Sequence, residues 1–325
     1  MSDEDLRRGP VAVIGLGLMG RSIAACLLAA GHNVTGVTND LETSAFVPEK
    51  IQELLEEMRE EGLLDRSSED AAKRFRMTAS LGEIAGAEIV FESVTEDLEL
   101  KRQLLREAER FISAGCILAS NTSALPVSLL QEGAQHPERI LGVHWDEPAH
   151  VTRFMEIIPG GRTSMEHLDR IAKLAPLWGK EPSVLRKEIR GFITNRISYA
   201  MFREACHLVE SGVCTVEDVD RSLRNDVGWW MPFAGPFRYM DLMGVEAYYR
   251  VMGDLLPDLS TEKGIPKLMR DVVESGGRGI SNGRGFYQYT EEEAKAWEAR
   301  FAEFNYRIRR LTAEFIDAPR EERKK

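Results

Sequence analysis

His144 and Glu156 stand twelve residues apart, each in a short apolar run, within Leu141-Gly-Val-His-Trp-Asp-Glu-Pro-Ala-His-Val-Thr-Arg-Phe-Met-Glu156. A histidine beside a carboxylate is suited to general-base work. A neutral imidazole, with an ordinary pKa of about 6.5, takes a proton from a hydroxyl at neutral pH, and a carboxylate on its other nitrogen fixes the tautomer. Ile140 to Val143 reads as a strand end and Phe154 to Ile158 as a second short strand, which returns Glu156 to His144 at the lip of a sheet. The edges of open sheets are where ligands bind. Alone, the pair also fits a hydrogen-bonded strand-end histidine and a solvated glutamate.

A second chemical signal lies near the start. The apolar run Val11-Ala-Val-Ile-Gly15 breaks into Gly15-Leu-Gly-Leu-Met-Gly20 and then a helical pattern, Arg21 to Ala30, ended by Gly31. Strand, glycine turn and helix in that order form a dinucleotide cradle. Gly15 permits the turn, Gly17 lets the backbone approach a pyrophosphate beside Leu18 and Met19, and Gly20 lets helix and strand close-pack. The next strand, Asn33 to Thr38, should end in an acid that binds the adenosine ribose. Thr38 stands there instead, followed by Asn39 and by Asp40, which lies close enough to substitute. No adjacent arginine offers to hold a 2′-phosphate, so NAD is expected, with NADP left open.

Other polar groups fall at strand ends. Glu88 to Glu92 reads as a strand, and Glu96 and Lys101 follow at the start of a helix, where a first-turn acid is favourable and a lysine is ordinarily solvated. Cys116 to Ser120 runs into Asn121-Thr-Ser-Ala124, which either caps the following helix or sets Ser123 over a cofactor ring, its hydroxyl donating to a substrate oxygen. Asn195, early in the apolar helical stretch Ile193 to Val209, is either buried with partners or faces a cleft.

The elements around these groups predict an α/β fold: a Rossmann-type dinucleotide-binding domain over 1–188, then an all-helical domain over 189–325. A chain of 325 residues with 43% hydrophobic content supports two cores. The strands Arg76 to Ser80 and Pro182 to Arg186 and the helix Leu168 to Trp178 belong to the first. In the second, Trp229 to Pro236 reads as a break before a helix from Phe237 to Leu256, and Glu291 to Lys325 as a charged helix with an unstructured end. Residues Pro48 to Leu64 form an amphipathic helix whose acidic face holds Glu49, Glu53, Glu56, Glu57, Glu60 and Glu61. A net charge of −11 argues against a nucleic-acid surface. The four cysteines lack CxxC spacing and read as reduced and inert, and no metal site is expected. With an acidic N-terminus, no apolar leader and no membrane-length apolar run, the expected location is cytoplasmic.

Taken in order, these segments resemble the 3-hydroxyacyl-CoA dehydrogenase family over nearly the whole chain. The resemblance rests on Ser120-Asn-Thr-Ser123, on Gly142-x-His144-x-x-x-Pro148, on Glu156, on Gly191-Phe-x-x-Asn195-Arg196 and on Gly235-Pro-Phe237. It implies an active site of Ser123, His144, Glu156 and Asn195, with Glu96 and Lys101 near the cofactor and a homodimer formed by the helical domain around Trp229 and Trp230. The branch that contains lambda-crystallin (L-gulonate 3-dehydrogenase) and carnitine dehydrogenase is most similar, from Glu96-Asp-Leu-Glu-Leu-Lys101, Lys187 to Arg196 and Leu208-Val-Glu-Ser-Gly212. The implied activity is NAD-dependent oxidation of a secondary 3-hydroxyl.

Three positions depart from the family pattern: Thr38 at the ribose acid, Glu147 where an asparagine is usual, and Arg190 for a proline. A CoA 3′-phosphate beside six glutamates would be repelled, which favours a small free hydroxy acid as substrate. The alternatives are a true 3-hydroxyacyl-CoA dehydrogenase and a non-catalytic, crystallin-like NAD(H)-binding protein. Arg153, Arg190 and Arg196 are candidates to grip a carboxylate, and Asp146 or Glu147 to meet a cation. Surface charge or ion pairing is the competing reading for each.

Overall fold

The computed structural model describes residues 9–316, so the extreme N-terminus and the end of the tail lie outside the described residues. The chain divides into two compact units, Met1–Thr194 and Asn195–Lys325.

The first unit is built on one eight-stranded sheet. Its strands are β1 (Val11–Ile14), β2 (Val34–Val37), β3 (Phe75–Thr78), β4 (Ile89–Glu92), β5 (Ile117–Ser120), β6 (Ile140–Trp145), β7 (Phe154–Pro159) and β8 (Glu181–Val184). They lie in the order β3-β2-β1-β4-β5-β6-β7-β8. All neighbours pair in parallel except β6 and β7, which are antiparallel. Strands covered on both faces must be apolar throughout, and β1, β4, β5 and β6 are buried at every position. Chain order reverses between β1 and β4, which leaves a crevice at the carboxyl ends of the strands.

Six helices cover this sheet: α1 (Leu18–Ala29), α2 (Val47–Glu60), α3 (Ser68–Ala72), α4 (Leu98–Ala108), α5 (Val127–Leu130) and α6 (Met165–Leu174). In α2 the buried stripe is Val47, Ile51, Leu55 and Met58, the spacing of one helical face. The acidic face is not uniformly solvated. Glu56 pairs with Arg59 and accepts from Ser68 Oγ at 2.6 Å, Lys50 pairs with Glu53, and Glu57 lies 3.5 Å from Nε2 of the buried His150. Glu53 and Glu56 thus have a basic partner on their own helix.

His32, 1% exposed, accepts from Trp178 Nε1 at 3.1 Å and bonds Gly9 O through Nδ1 at 2.8 Å. That pairing requires the neutral Nδ1–H tautomer, and burial holds the imidazole pKa below its ordinary 6.5. Above that value the group carries no charge in either state. Below it the unfolded chain binds a proton that the folded site resists, so stability is lost as pH falls. His167, lowered mainly by burial, adds in the same direction. The melting temperature should therefore decline as pH drops from about 7 to about 5.5, and His32→Gln should show a shallower decline from a lower start.

The second unit comprises α7 (Thr194–Glu210), α8 (Val216–Asn225), α9 (Val227–Met243), α10 (Val245–Leu255), α11 (Lys267–Glu274) and α12 (Glu291–Ile316). The break expected from Trp229 to Pro236 narrows to one residue. Helix α9 runs through it and leaves helical geometry only at Gly235 (φ 64°, ψ 170°). Pro236 then starts the second half, where its missing N–H costs nothing. Within residues 195–316 only Gly277 and Tyr306 are buried. The four cysteines are free, and burial pushes the Cys116 thiol up to about 12, which leaves it unreactive at neutral pH.

Candidate active site

The antiparallel β6–β7 register sets His144 directly opposite Glu156. Their side chains meet across the hairpin, with Nδ1 3.0 Å from Glu156 Oε2 and both groups buried. The second carboxylate oxygen accepts N–H bonds from Ile193 at 3.0 Å and Thr194 at 2.9 Å. Burial raises the Glu156 pKa. The hydrogen bonds from the imidazole and the two backbone N–H groups outweigh it, and the acid is held below its ordinary value. An ionised Glu156 obliges Nδ1 to carry a proton, so Nε2 is the basic nitrogen. The ring is wedged between Phe154 and Phe192, at centroid distances of 5.2 and 5.7 Å.

The loop between β6 and β7 is tied down along its length. Ser22 Oγ, from α1, contacts His150 Nδ1 at 2.8 Å and accepts from His150 N–H at 2.9 Å. Lys180, 3% exposed, donates to the carbonyls of Ala149 and Thr152 and lies over the Trp145 ring. Arg153 pairs with Glu181 at 3.3 Å, which fits the ion-pair reading. Asp146, Glu147, Arg190 and Arg196 are exposed.

Ser123 sits in the turn after β5, its N–H donating to Glu96 Oε1 at 2.9 Å. Thr122 Oγ1 and Ala124 N–H reach the same oxygen. Asn121 joins this turn to the hairpin, since its Oδ1 accepts from Trp145 N–H at 3.1 Å. Lys101, ordinarily expected to be solvated at this place in a helix, is instead fully buried against Glu92 at 2.8 Å. Asn195 is the second residue of α7 and opens the second unit. The residues that sequence reasoning passed over are Glu92 and Lys180; of these Glu92, an acid closing an apolar run, carried a visible signal.

The glycine loop fits a dinucleotide. Gly15 has φ +91°, a conformation open to glycine, and nothing lies within 4 Å of where a Gly17 side chain would begin, as a backbone that meets a ligand requires. A Cβ on Gly20 would fall 1.8 Å from the Gly15 carbonyl oxygen. Gly17 caps α1 without a side-chain bond, so the first N–H groups of the helix remain available to a pyrophosphate. Gly20→Ala must therefore move the loop, and NAD affinity should fall on the order of tenfold or more, a change of about 1.4 kcal/mol; titration of intrinsic fluorescence with NAD checks it. At the end of β2, Thr38 turns its hydroxyl to Ser44 Oγ at 2.6 Å and Asp40 closes its own turn on Glu42 N–H at 2.9 Å. Exposed Asn39 lies between them.

The family model for the NAD-binding domain of 3-hydroxyacyl-CoA dehydrogenase matches residues 10–189, and that for its C-terminal domain matches residues 191–289. The chain belongs to the 3-hydroxyacyl-CoA dehydrogenase family. It is 32% identical over 302 residues to 5-formyl-3-hydroxy-2-methylpyridine 4-carboxylate 5-dehydrogenase of Mesorhizobium japonicum, covering 93% of this chain and 97% of that one. It is 32% identical over 297 residues to L-carnitine dehydrogenase of Streptomyces griseus, covering 89% and 87%. A crystal structure of a 5-formyl-3-hydroxy-2-methylpyridine 4-carboxylic acid 5-dehydrogenase, described as an NAD+-dependent dismutase, superposes with a TM-score of 0.88 at 30% identity. It covers 94% of this chain and 98% of that one. This member of the 3-hydroxyacyl-CoA dehydrogenase family is thus an NAD-dependent dehydrogenase with a Rossmann-type domain and a helical C-terminal domain. Among the described residues no helix is long and apolar enough to cross a membrane.

Proposed function

We propose that the enzyme oxidises the secondary alcohol of a small free hydroxy acid to a ketone, with His144 as general base. The observation that carries this reading is the His144–Glu156 pair, whose carboxylate is fixed by two further N–H bonds. NAD, when bound, accepts the hydride. His144 Nε2 takes the hydroxyl proton as the C–H bond breaks, Glu156 stabilises the imidazolium that forms, and the proton then passes to water. Ser123 and Asn195 hold the substrate oxygen. The free acid is supported by the excess acid on α2 and by relatives named for carnitine and for a pyridine carboxylate.

The CoA-ester reading keeps weight because Lys50 and Arg59 offset part of the α2 charge. NADH formation should therefore be followed with L-carnitine, L-gulonate, free 3-hydroxybutyrate and L-3-hydroxybutyryl-CoA. The expected result is turnover of a free acid with kcat/KM at least tenfold above that of the CoA ester, a difference of about 1.4 kcal/mol. Turnover of the ester alone would overturn the substrate class. NAD binding with no turnover of any would favour a non-catalytic role. The second unit, whose apolar side chains stand largely exposed in one chain, supports a homodimer.

A further inference from the structure

The turn that carries Ser123 is held by a buried polar chain that the proton transfer does not use. Glu92 ends β4 and Lys101 lies in the first turns of α4; both side chains are fully buried and meet at 2.8 Å. Glu92 Oε1 also accepts from Val94 N–H at 2.7 Å, and Oε2 accepts from Ser120 Oγ at 2.5 Å. Lys101 donates further to the carbonyls of Val94 at 3.3 Å and Asn121 at 3.4 Å, and lies 3.4 Å from Glu96 Oε2. The other oxygen of Glu96 gathers Thr122 Oγ1 at 2.5 Å, Ser123 N–H at 2.9 Å and Ala124 N–H at 3.3 Å. From the opposite side Asn121 receives Trp145 N–H and donates to Ser93 Oγ at 3.2 Å.

A buried ion pair adds little net stability, because desolvation offsets the attraction. Besides closing on Val94, this pair bonds Ser120 Oγ and the Asn121 carbonyl in the segment 120 to 124, and the bonds of Asn121 with Ser93 Oγ and Trp145 N–H complete the grip. We propose that Glu92 and Lys101 are positioning residues that fix where the Ser123 hydroxyl stands relative to His144. Lys101 acts through Glu96 and the Asn121 carbonyl. The inference rests on Ser123 as an oxygen-holding group in the reading above.

The test is a double-mutant cycle on kcat, with NAD affinity measured in parallel. Ser123→Ala should lower kcat roughly 10²-fold, and Lys101→Met should lower it by a similar ~10²-fold, the size of effect a 1 Å misplacement can have. The double variant should be no slower than the slower single one, because both changes remove one function. Additive losses, or weakened NAD binding with kcat intact at saturation, would overturn the inference alone. An unchanged kcat in Ser123→Ala would overturn the Ser123 reading and this inference with it. Should Lys101→Met fail to fold, Ser120→Ala removes only the hydroxyl bond to Glu92; it should lower kcat roughly tenfold and not add to Ser123→Ala, and an unchanged kcat would overturn the proposal.

Discussion

Replacing His144 by alanine is expected to lower kcat by ~10² to 10⁴-fold, the range that a positioned acid–base group supplies, while NAD binding stays intact. The separation follows from the fold. The glycine loop lies after β1 and His144 on β6, on strands that are not neighbours in the sheet. Glu156→Gln should retain the fold and lose most of the same activity. An amide offers Nδ1 a weaker partner and cannot stabilise a charged ring. Its neutral oxygen can still accept from Ile193 and Thr194 N–H, so the hairpin is not left with unpaired donors. Steady-state kinetics with the preferred substrate, together with NAD titration of each variant, checks both. Wild-type kcat in His144→Ala would remove the general-base assignment.

That pair was legible in sequence because an antiparallel hairpin turns a twelve-residue spacing into direct opposition, and the apolar runs on each side marked the two strands. The glycine loop was legible for the same local reason. What fixes Glu156 was not. The N–H groups of Ile193 and Thr194 lie 37 and 38 residues away and are aimed by Phe192, which adopts φ +54°, a conformation that no pattern of residue types announces. The burial of Lys101 was hidden for a related reason. A lysine in a helix that opens after a strand is ordinarily solvated, and only the tertiary meeting with Glu92 on β4 buries it. Thr38 occupies the expected ribose position in sequence, yet Ser44, six residues on, engages its hydroxyl. In α9 two prolines and a glycine suggested a long break, but a proline at the first position of a helical half is tolerated, so only Gly235 departs.

Phe301→Asp is expected to leave the protein monomeric and its helical unit poorly folded. A unit of this size cannot stand on two buried residues, since ordering its backbone costs about 1 to 2 kcal/mol per residue and only apolar burial of matching size offsets that. Trp229 is 80% exposed, Phe237 80%, Tyr249 78% and Phe301 60%. The side chains of α9 and α12 line a cavity of about 1190 Å³ that includes Trp229, Phe233, Trp297, Phe301 and Phe304. Monomeric surfaces rarely carry apolar patches beyond a few hundred Å², and a stable interface buries about 1,600 Å² in total. A second copy would supply that area in the wild type, and a carboxylate at Phe301 would have to be desolvated in the interface. The wild-type protein should therefore run as a dimer in light scattering at micromolar concentration, with a urea midpoint that rises with protein concentration, as mass action requires. A wild-type monomer with a midpoint independent of concentration would show that these helices are stable without a second copy, and that the exposed aromatic face serves something other than self-association.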